Sequence, residues 1–177
     1  TLWIPTEGLT LTANLGILDA NYDSYMVLDG SGNMVDKSGF DLRRAPEMTL
    51  ALGALHEFSL SNGDFIVSSL NYRWKDDYCV QGNNFSAIEA HYGANPACNE
   101  SYGIIDASIS YESDNWRLSF FGKNLGDEDY ILHFLDVASS VNATSATDST
   151  PVYVPGLWSF GTVNRPRYFG VELQFDF

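Results

Sequence analysis

Apolar and polar positions alternate with a period of two along most of the chain, and stretches with helical spacing are scarce. Leu9, Leu11, Ala13, Leu15 and Ile17 interleave with Thr10, Thr12, Asn14 and Gly16, which predicts a strand with one greasy face and one polar face. A second strand sets Leu50, Leu52, Ala54, Phe58 and Leu60 against Thr49, Ala51, Gly53, Glu57 and Ser59, with His56 as a polar intruder on the apolar side. The third opposes Ile66, Leu70, Tyr72 and Trp74 to Ser69, Asn71, Arg73 and Lys75. The fourth opposes Ile105, Ala107, Ile109 and Tyr111 to Asp106, Ser108 and Ser110, and the fifth sets Trp116, Leu118 and Phe120 against Arg117, Ser119, Phe121 and Lys123. The last runs through Phe169, Val171, Leu173, Phe175 and Phe177, with Gly170, Glu172, Gln174 and Asp176 between them. The pattern therefore predicts six antiparallel neighbours.

The connections alternate between short and long. Pro5-Thr6-Glu7-Gly8, Ser61-Asn62-Gly63-Asp64 and Ser113-Asp114-Asn115 are tight turns, with Asn-Gly supplying the positive φ angles of two-residue hairpins. The other connections run roughly from Asp19 to Met48, from Asp76 to Ser101 and from Gly126 to Asn164, lengths that compact soluble domains rarely tolerate. When every second connection is long, all the long loops leave one edge of the sheet, which is the layout of a transmembrane β-barrel. The alternation by itself also suits a soluble β-sandwich, whose apolar face would turn inward. Aromatics favour the barrel: Tyr111 and Trp116 flank a tight turn on the apolar face, and Tyr72 and Trp74 sit on that face near a long loop, the two girdle positions.

Composition narrows the classes further. The 23 acidic residues against 9 basic ones, a formal charge of −14, argue against a nucleic-acid binder, which needs a basic face to displace counterions. Aromatics at 14% are too frequent for a disordered chain. No apolar stretch approaches the roughly 18 to 20 residues of a spanning helix. Thr1 is preceded by no initiator Met and followed by no charged and apolar leader, so a signal peptide is expected upstream or already removed.

Two segments resemble a known family. Trp116-Arg117-Leu118-Ser119-Phe120-Phe121-Gly122-Lys123-Asn124-Leu125-Gly126-Asp127-Glu128-Asp129-Tyr130 resembles the pattern near the end of TonB-dependent outer-membrane receptors, in which Asn124, Leu125, Asp127 and Tyr130 occupy the motif positions. Arg165-Pro166-Arg167-Tyr168-Phe169 and the residues on to Phe177 are similar to the final strand of that family. Gly8 to Gly16 and Arg44 to Glu47 are similar to an upstream hairpin, so the resemblance covers nearly the whole chain. It implies the C-terminal six to seven strands of a 22-stranded barrel, with the plug domain and earlier strands outside residues 1–177. It further implies a receptor in the bacterial outer membrane that takes up a scarce ligand such as a ferric siderophore, driven through a periplasmic energy-coupling protein. The implied partners are outer-membrane lipid, the barrel-insertion machinery, that coupling protein and an iron chelate.

Candidate residues follow from both readings. The alternating terminus Phe169, Val171, Leu173, Phe175 and Phe177 resembles the signal by which insertion machinery captures the last strand along an exposed edge. Cys79 and Cys98, the only cysteines, share one long loop, and a disulfide there would remove roughly 3 kcal/mol of unfolded-chain entropy. Metal binding is the rival, with His91 alone between them. Asn71, Arg73 and Lys75 line the polar face toward the loop end, where cations would attract an anionic chelate or simply pair with lumen carboxylates. Arg43 and Arg44 in the first long loop carry the same ambiguity, and a side-by-side pairing of the last two strands with Trp116 level with Phe177 would bring Arg117 to Asp176. His56, His91 and His133 are scattered and no phosphate loop or nucleophile elbow is present, so neither catalysis nor a cofactor is expected. Asp127, Glu128 and Asp129 lack the alternating spacing of a calcium loop. The Asn-x-Ser/Thr triplets at Asn84, Asn99 and Asn142 matter only in a eukaryotic secretory pathway. A secreted β-sandwich carbohydrate-binding module, its acidic loops holding calcium, stands as the alternative, and a small closed barrel would fall short of the eight strands it needs.

Overall fold

The structure is a computed structural model that describes residues 1–28, 32–39, 42–80, 97–137, 141–142, 152–153 and 158–176. Its strands are β1 (Leu2–Thr6), β2 (Leu9–Ile17), β3 (Met26–Leu28), β4 (Met34–Asp36), β5 (Met48–Ser59), β6 (Phe65–Lys75), β7 (Tyr78–Cys79) and β8 (Cys98–Asn99). They continue as β9 (Tyr102–Ser113), β10 (Trp116–Lys123), β11 (Ile131–Val137), β12 (Val141–Asn142), β13 (Val152–Tyr153), β14 (Trp158–Val163) and β15 (Tyr168–Phe175). Seven of them form one antiparallel sheet in the order β1-β2-β5-β6-β9-β10-β15, so each long strand pairs with the next one along the chain. β5, β6 and β9 are 12, 11 and 12 residues long, enough to cross a bilayer at a tilt. No helix occurs among the described residues.

The register keeps the two faces apart across the sheet. Trp3, Leu11, Ala54, Leu70, Ala107, Gly122 and Phe169 stand side by side on successive strands, a continuous apolar row. The next row on the other face carries Thr12, Gly53, Asn71 and Asp106. Leu70, Ile109 and Phe120 remain 51% exposed and Val171 62%, because nothing among the described residues packs over the apolar face. A β-sandwich would bury these side chains against a second sheet. The buried apolar residues among those described are Val80, Ala97, Tyr102, Ile104 and Phe134, all gathered at the long-loop end.

The seam between β10 and β15 is interlocked on both faces. Gly122 lies opposite Phe169, and a Cβ there would fall 3.0 Å from the Phe169 ring. Gly170 lies opposite Phe121, whose ring occupies the space a Cβ would need. Phe121 also meets Tyr168 edge to face, with ring centroids 6.3 Å apart.

The short turns depart from expectation in detail. Ser59 pairs with Phe65, so the connection from β5 to β6 spans five residues rather than a two-residue Asn-Gly hairpin. Gly63 alone takes the positive φ, at +92°, while the Asn62 amide donates to the Asp64 carboxylate at 2.6 Å and pins the turn from its side chain. The Tyr111 hydroxyl also donates to Asp64, and this bond, with further donors from Ser113 and Asn62, holds the Asp64 carboxyl below the usual range. The final register also differs. Trp116 pairs with Phe175 and Arg117 with Gln174, two residues off the expected pairing, and Arg117 meets Glu112 at 2.9 Å across the β9–β10 hairpin instead of Asp176. That hairpin's two-residue turn sets Arg117 opposite Glu112, which fixes the ion pair locally.

The long connections contain strand pairs that the alternation did not predict. β3 pairs with β4, β7 with β8, β11 with β14 and β12 with β13. The β11 sequence Ile131-Leu132-His133-Phe134-Leu135 has consecutive apolar residues, so a period-two reading passes over it. Phe177 and the Asn84 and His91 positions lie outside the described residues.

Candidate functional site

The polar face carries a ladder of side-chain bonds that rises toward the long loops. The Ser110 and Ser119 hydroxyls bond at 2.9 Å and Ser69 and Ser108 at 2.7 Å. Above them Asp106, whose side chain is 10% exposed, receives the Arg73 guanidinium at 2.9 Å and the Lys123 ammonium at 3.4 Å. Its other oxygen accepts the Asn124 backbone N–H at 3.0 Å. Burying a carboxylate is unfavourable unless its lone pairs are filled, and these three donors fill them. Asn71 stands in the row of Asp106, and Lys75 places its ammonium 5.8 Å from the Tyr78 ring centroid. Arg73 keeps 61% of its side chain exposed, so it retains an open side on the polar face of the sheet.

The Asn124-Leu125-Gly126-Asp127 segment turns the chain sharply after β10. Asn124 and Asp127 take left-handed φ angles of 51° and 57°, which Asn and Asp tolerate better than other side chains. Asn124 is 5% exposed. Its amide donates to the carbonyls of Glu128 at 2.9 Å and Arg165 at 3.1 Å, and its oxygen accepts the Glu128 N–H at 3.0 Å. Asn164 repeats the pattern, bonding Glu128 and Arg165 carbonyls through its amide and accepting the Tyr130 N–H at 2.9 Å. The Asp127 carboxylate accepts the Arg167 N–H at 2.7 Å, and the Arg167 side chain reaches the Leu125 carbonyl at 3.3 Å. Leu125 donates its N–H to Ile105 at 2.8 Å. The motif thereby fastens both ends of the last long loop to each other and to β9.

The three long connections are fastened together beyond this point. Cys79 and Cys98 form a disulfide across the β7–β8 pair. Asn99, buried beside it, donates to the Ile131 carbonyl at 3.0 Å and accepts the Ile131 N–H at 2.6 Å, so a side chain completes a strand-like pairing with the third connection. Val80, Ala97 and Phe134 form a small core there, flanked by Tyr78 and Ile131. From the first connection, the Arg44 backbone N–H donates to the Cys79 carbonyl at 2.8 Å, and its guanidinium donates to the Leu132 carbonyl at 3.1 Å and lies 3.4 Å from His133 Nδ1. Tyr102 and Tyr130 stack with centroids 4.2 Å apart, and the Tyr78 and Tyr102 hydroxyls meet at 3.1 Å. Arg43 is exposed and has no partner among the described residues.

The sequence-predicted residues thus fall into separate places. Arg44, Lys75, Tyr130 and the disulfide come together at the loop junction, Arg73 joins Asp106 below it, and Arg43 stays apart. Phe169, Val171, Leu173 and Phe175 lie on the apolar face of the sheet's last strand, whose outer edge is unpaired among the described residues. Asn99, Tyr102, Asp106 and Asn164 escaped the sequence reading, because each acts through a partner far along the chain, such as Ile131 for Asn99. Asn164, a turn-forming residue two positions before Pro166 at the close of a long loop, was the one local signal.

The junction predicts a stability effect. Cys79→Ser with Cys98→Ser is expected to lower stability by about 3 kcal/mol through the freed closure entropy, and to raise protease cleavage in the second connection. Thiol counting on denatured, non-reduced protein should find no free thiol, and two free thiols per chain would contradict the bridge.

No known family's sequence profile matches the chain. Among solved structures, the ferric yersiniabactin uptake receptor FyuA from Yersinia pestis matches 99% of this chain at a TM-score of 0.63 and 16% sequence identity. The match covers 22% of that protein, so this chain spans about a fifth of its length. At this identity the likeness establishes the fold alone: an all-β, antiparallel seven-stranded sheet.

Proposed function

We propose that this chain is the C-terminal part of a TonB-dependent receptor barrel in a bacterial outer membrane, with a plug domain and further strands supplied by the rest of the protein. The receptor takes up a scarce ligand, a ferric siderophore, and a periplasmic energy-coupling protein drives the transport. The observation that carries this reading is the one-sided sheet: a continuous apolar row from Trp3 to Phe169 with nothing over it among the described residues, backed by a polar ladder that ends in a fastened group of long loops. Lipid suits the first face and a wet lumen the second. Arg73, Lys75, Asn71, Arg43 and Arg44 are the ligand-facing polar groups of this reading, and an anionic chelate is the chemistry they attract. No catalytic step is proposed. Insertion machinery captures the chain through the edge of β15.

Topology tests the proposal. Epitope tags at Gly32 and at Asn62 of the full-length protein should be labelled on intact cells at Gly32 only, since Gly32 belongs to a long connection and Asn62 to a tight turn. Labelling at Asn62 alone would reverse the orientation. Deleting the gene should also abolish uptake of the cognate ferric chelate under iron limitation, and undiminished uptake would remove the assigned role.

A further inference from the structure

A cavity of about 220 Å³ opens where the three long connections meet, lined by Arg44, Lys75, Tyr78, Val80, Tyr130 and Leu132. Each connection supplies part of the wall: Arg44 from the first, Tyr78 and Val80 from the second, Tyr130 and Leu132 from the third. An apolar cavity of about 150 Å³ already admits a benzene ring, so this one has room for a single ring with one polar substituent. Its aromatic walls are held in place, because Tyr130 stacks on Tyr102 and Tyr78 bonds the Tyr102 hydroxyl.

The charges around the cavity are unusual for so acidic a chain. Arg73, Arg117, Lys123 and Arg167 each meet a carboxylate, whereas Arg44 and Lys75 have no carboxylate partner among the described residues. Among the described residues, no acidic side chain lines the cavity. Arg44 spends one guanidinium nitrogen on Leu132 and His133, which leaves its remaining N–H donors open. Two cations beside two tyrosine rings and the apolar Val80 and Leu132 define the complementary solute: a planar ring bearing a negative charge. A neutral ring would leave the cations uncompensated, and a small inorganic anion would leave the apolar wall wet.

We propose that this cavity binds a planar aromatic anion, an aryl carboxylate or a deprotonated phenol, either free or as one group of a larger molecule. The assignment deepens the receptor reading and rests on it only for the direction from which the ligand arrives. Lys75 supplies the charge contact and Tyr78 and Tyr130 the stacking surface, while Arg44 both faces the anion and ties the loops.

Calorimetric titration of the full-length protein in detergent micelles tests this with benzoate as the probe, against benzamide and cyclohexanecarboxylate. Benzoate should bind saturably and at least about tenfold more tightly than either comparator, the factor carried by one charge-assisted contact or one stacking surface. Lys75→Gln should weaken benzoate by about tenfold and leave benzamide unchanged, with the Cys79–Cys98 bridge intact as a check on folding. Benzoate binding no tighter than benzamide, or a Lys75→Gln variant that binds benzoate normally, would overturn the assignment. Uptake of a ferric chelate by a protein that fails these comparisons would sink the cavity and spare the receptor reading. Selective benzoate binding by a protein without uptake would do the reverse.

Discussion

Refolded alone in plain buffer, the 177 residues are expected to aggregate, and detergent should be needed to keep any species dispersed. The chain exposes 12243 Å², whereas a compact monomer of 19.6 kDa would expose about 8,600 Å². The apolar face contributes to this excess, since Leu70, Ile109, Phe120, Val171, Leu173 and Phe175 are all more than half exposed. Soluble monomers seldom show contiguous apolar patches beyond a few hundred Å². The sheet also has unpaired backbone at β1 and at β15 among the described residues, and an open edge recruits further chains in water or leaves several kcal/mol per unsatisfied group in lipid. Size-exclusion chromatography with and without detergent checks this. A monomer with well-dispersed amide chemical shifts in plain buffer would contradict the membrane reading and revive the secreted sandwich.

Asn124→Ala is expected to be the most damaging single change at the loop end, with a loss of about 3 to 5 kcal/mol. Three side-chain hydrogen bonds disappear, and the carbonyls of Glu128 and Arg165 and the Glu128 N–H each lose that partner. Alanine must also take the left-handed φ of 51°. Asn124→Gly removes the same bonds and relieves the backbone, so it should recover about 1 kcal/mol of the loss. Asn124→Asp should do no better than glycine, because its carboxylate would face two carbonyl oxygens in place of the amide donors. Urea unfolding of the full-length protein in detergent, together with the heat-modifiable fraction on gels, reads the series. Wild-type stability for Asn124→Ala would mean that the motif does not fasten the loop.

Much of the sheet was legible in the sequence because the alternation is a local signal. Leu9 to Ile17 and Phe169 to Phe175 announce their faces residue by residue, and the short and long connections fix the order of strands. Register was less legible. The expected pairing of Arg117 with Asp176 was two residues off, since nothing local to either residue encodes how far β15 slides along β10. The loop end was least legible. Asp106 draws on Arg73 and Lys123, and Asn164 reaches back to Glu128 and Tyr130, so those contacts exist only after the strands have assembled. The sequence motif marked Asn124, Leu125, Asp127 and Tyr130 as a group without revealing that the first three bond mainly to backbone atoms while Tyr130 stacks on Tyr102.

The glycines in the last seam have a consequence for how the barrel edge is chosen. Phe169 fits because Gly122 faces it, and Phe121 fits because Gly170 faces it, on opposite sides of one strand pair. Slide β15 by two residues and Phe169 confronts Phe120 or Asn124, while Phe121 meets Tyr168 or Glu172, each of which carries a Cβ. A final strand shifted by two residues would lose both interlocks at once, so the two Gly–Phe pairs favour this register over its neighbours. A side chain gained at Gly170 would collide with the Phe121 ring, whereas one gained at Gly122 would meet Leu125 at 2.6 Å before the Phe169 ring at 3.0 Å, so the two positions are held by different neighbours.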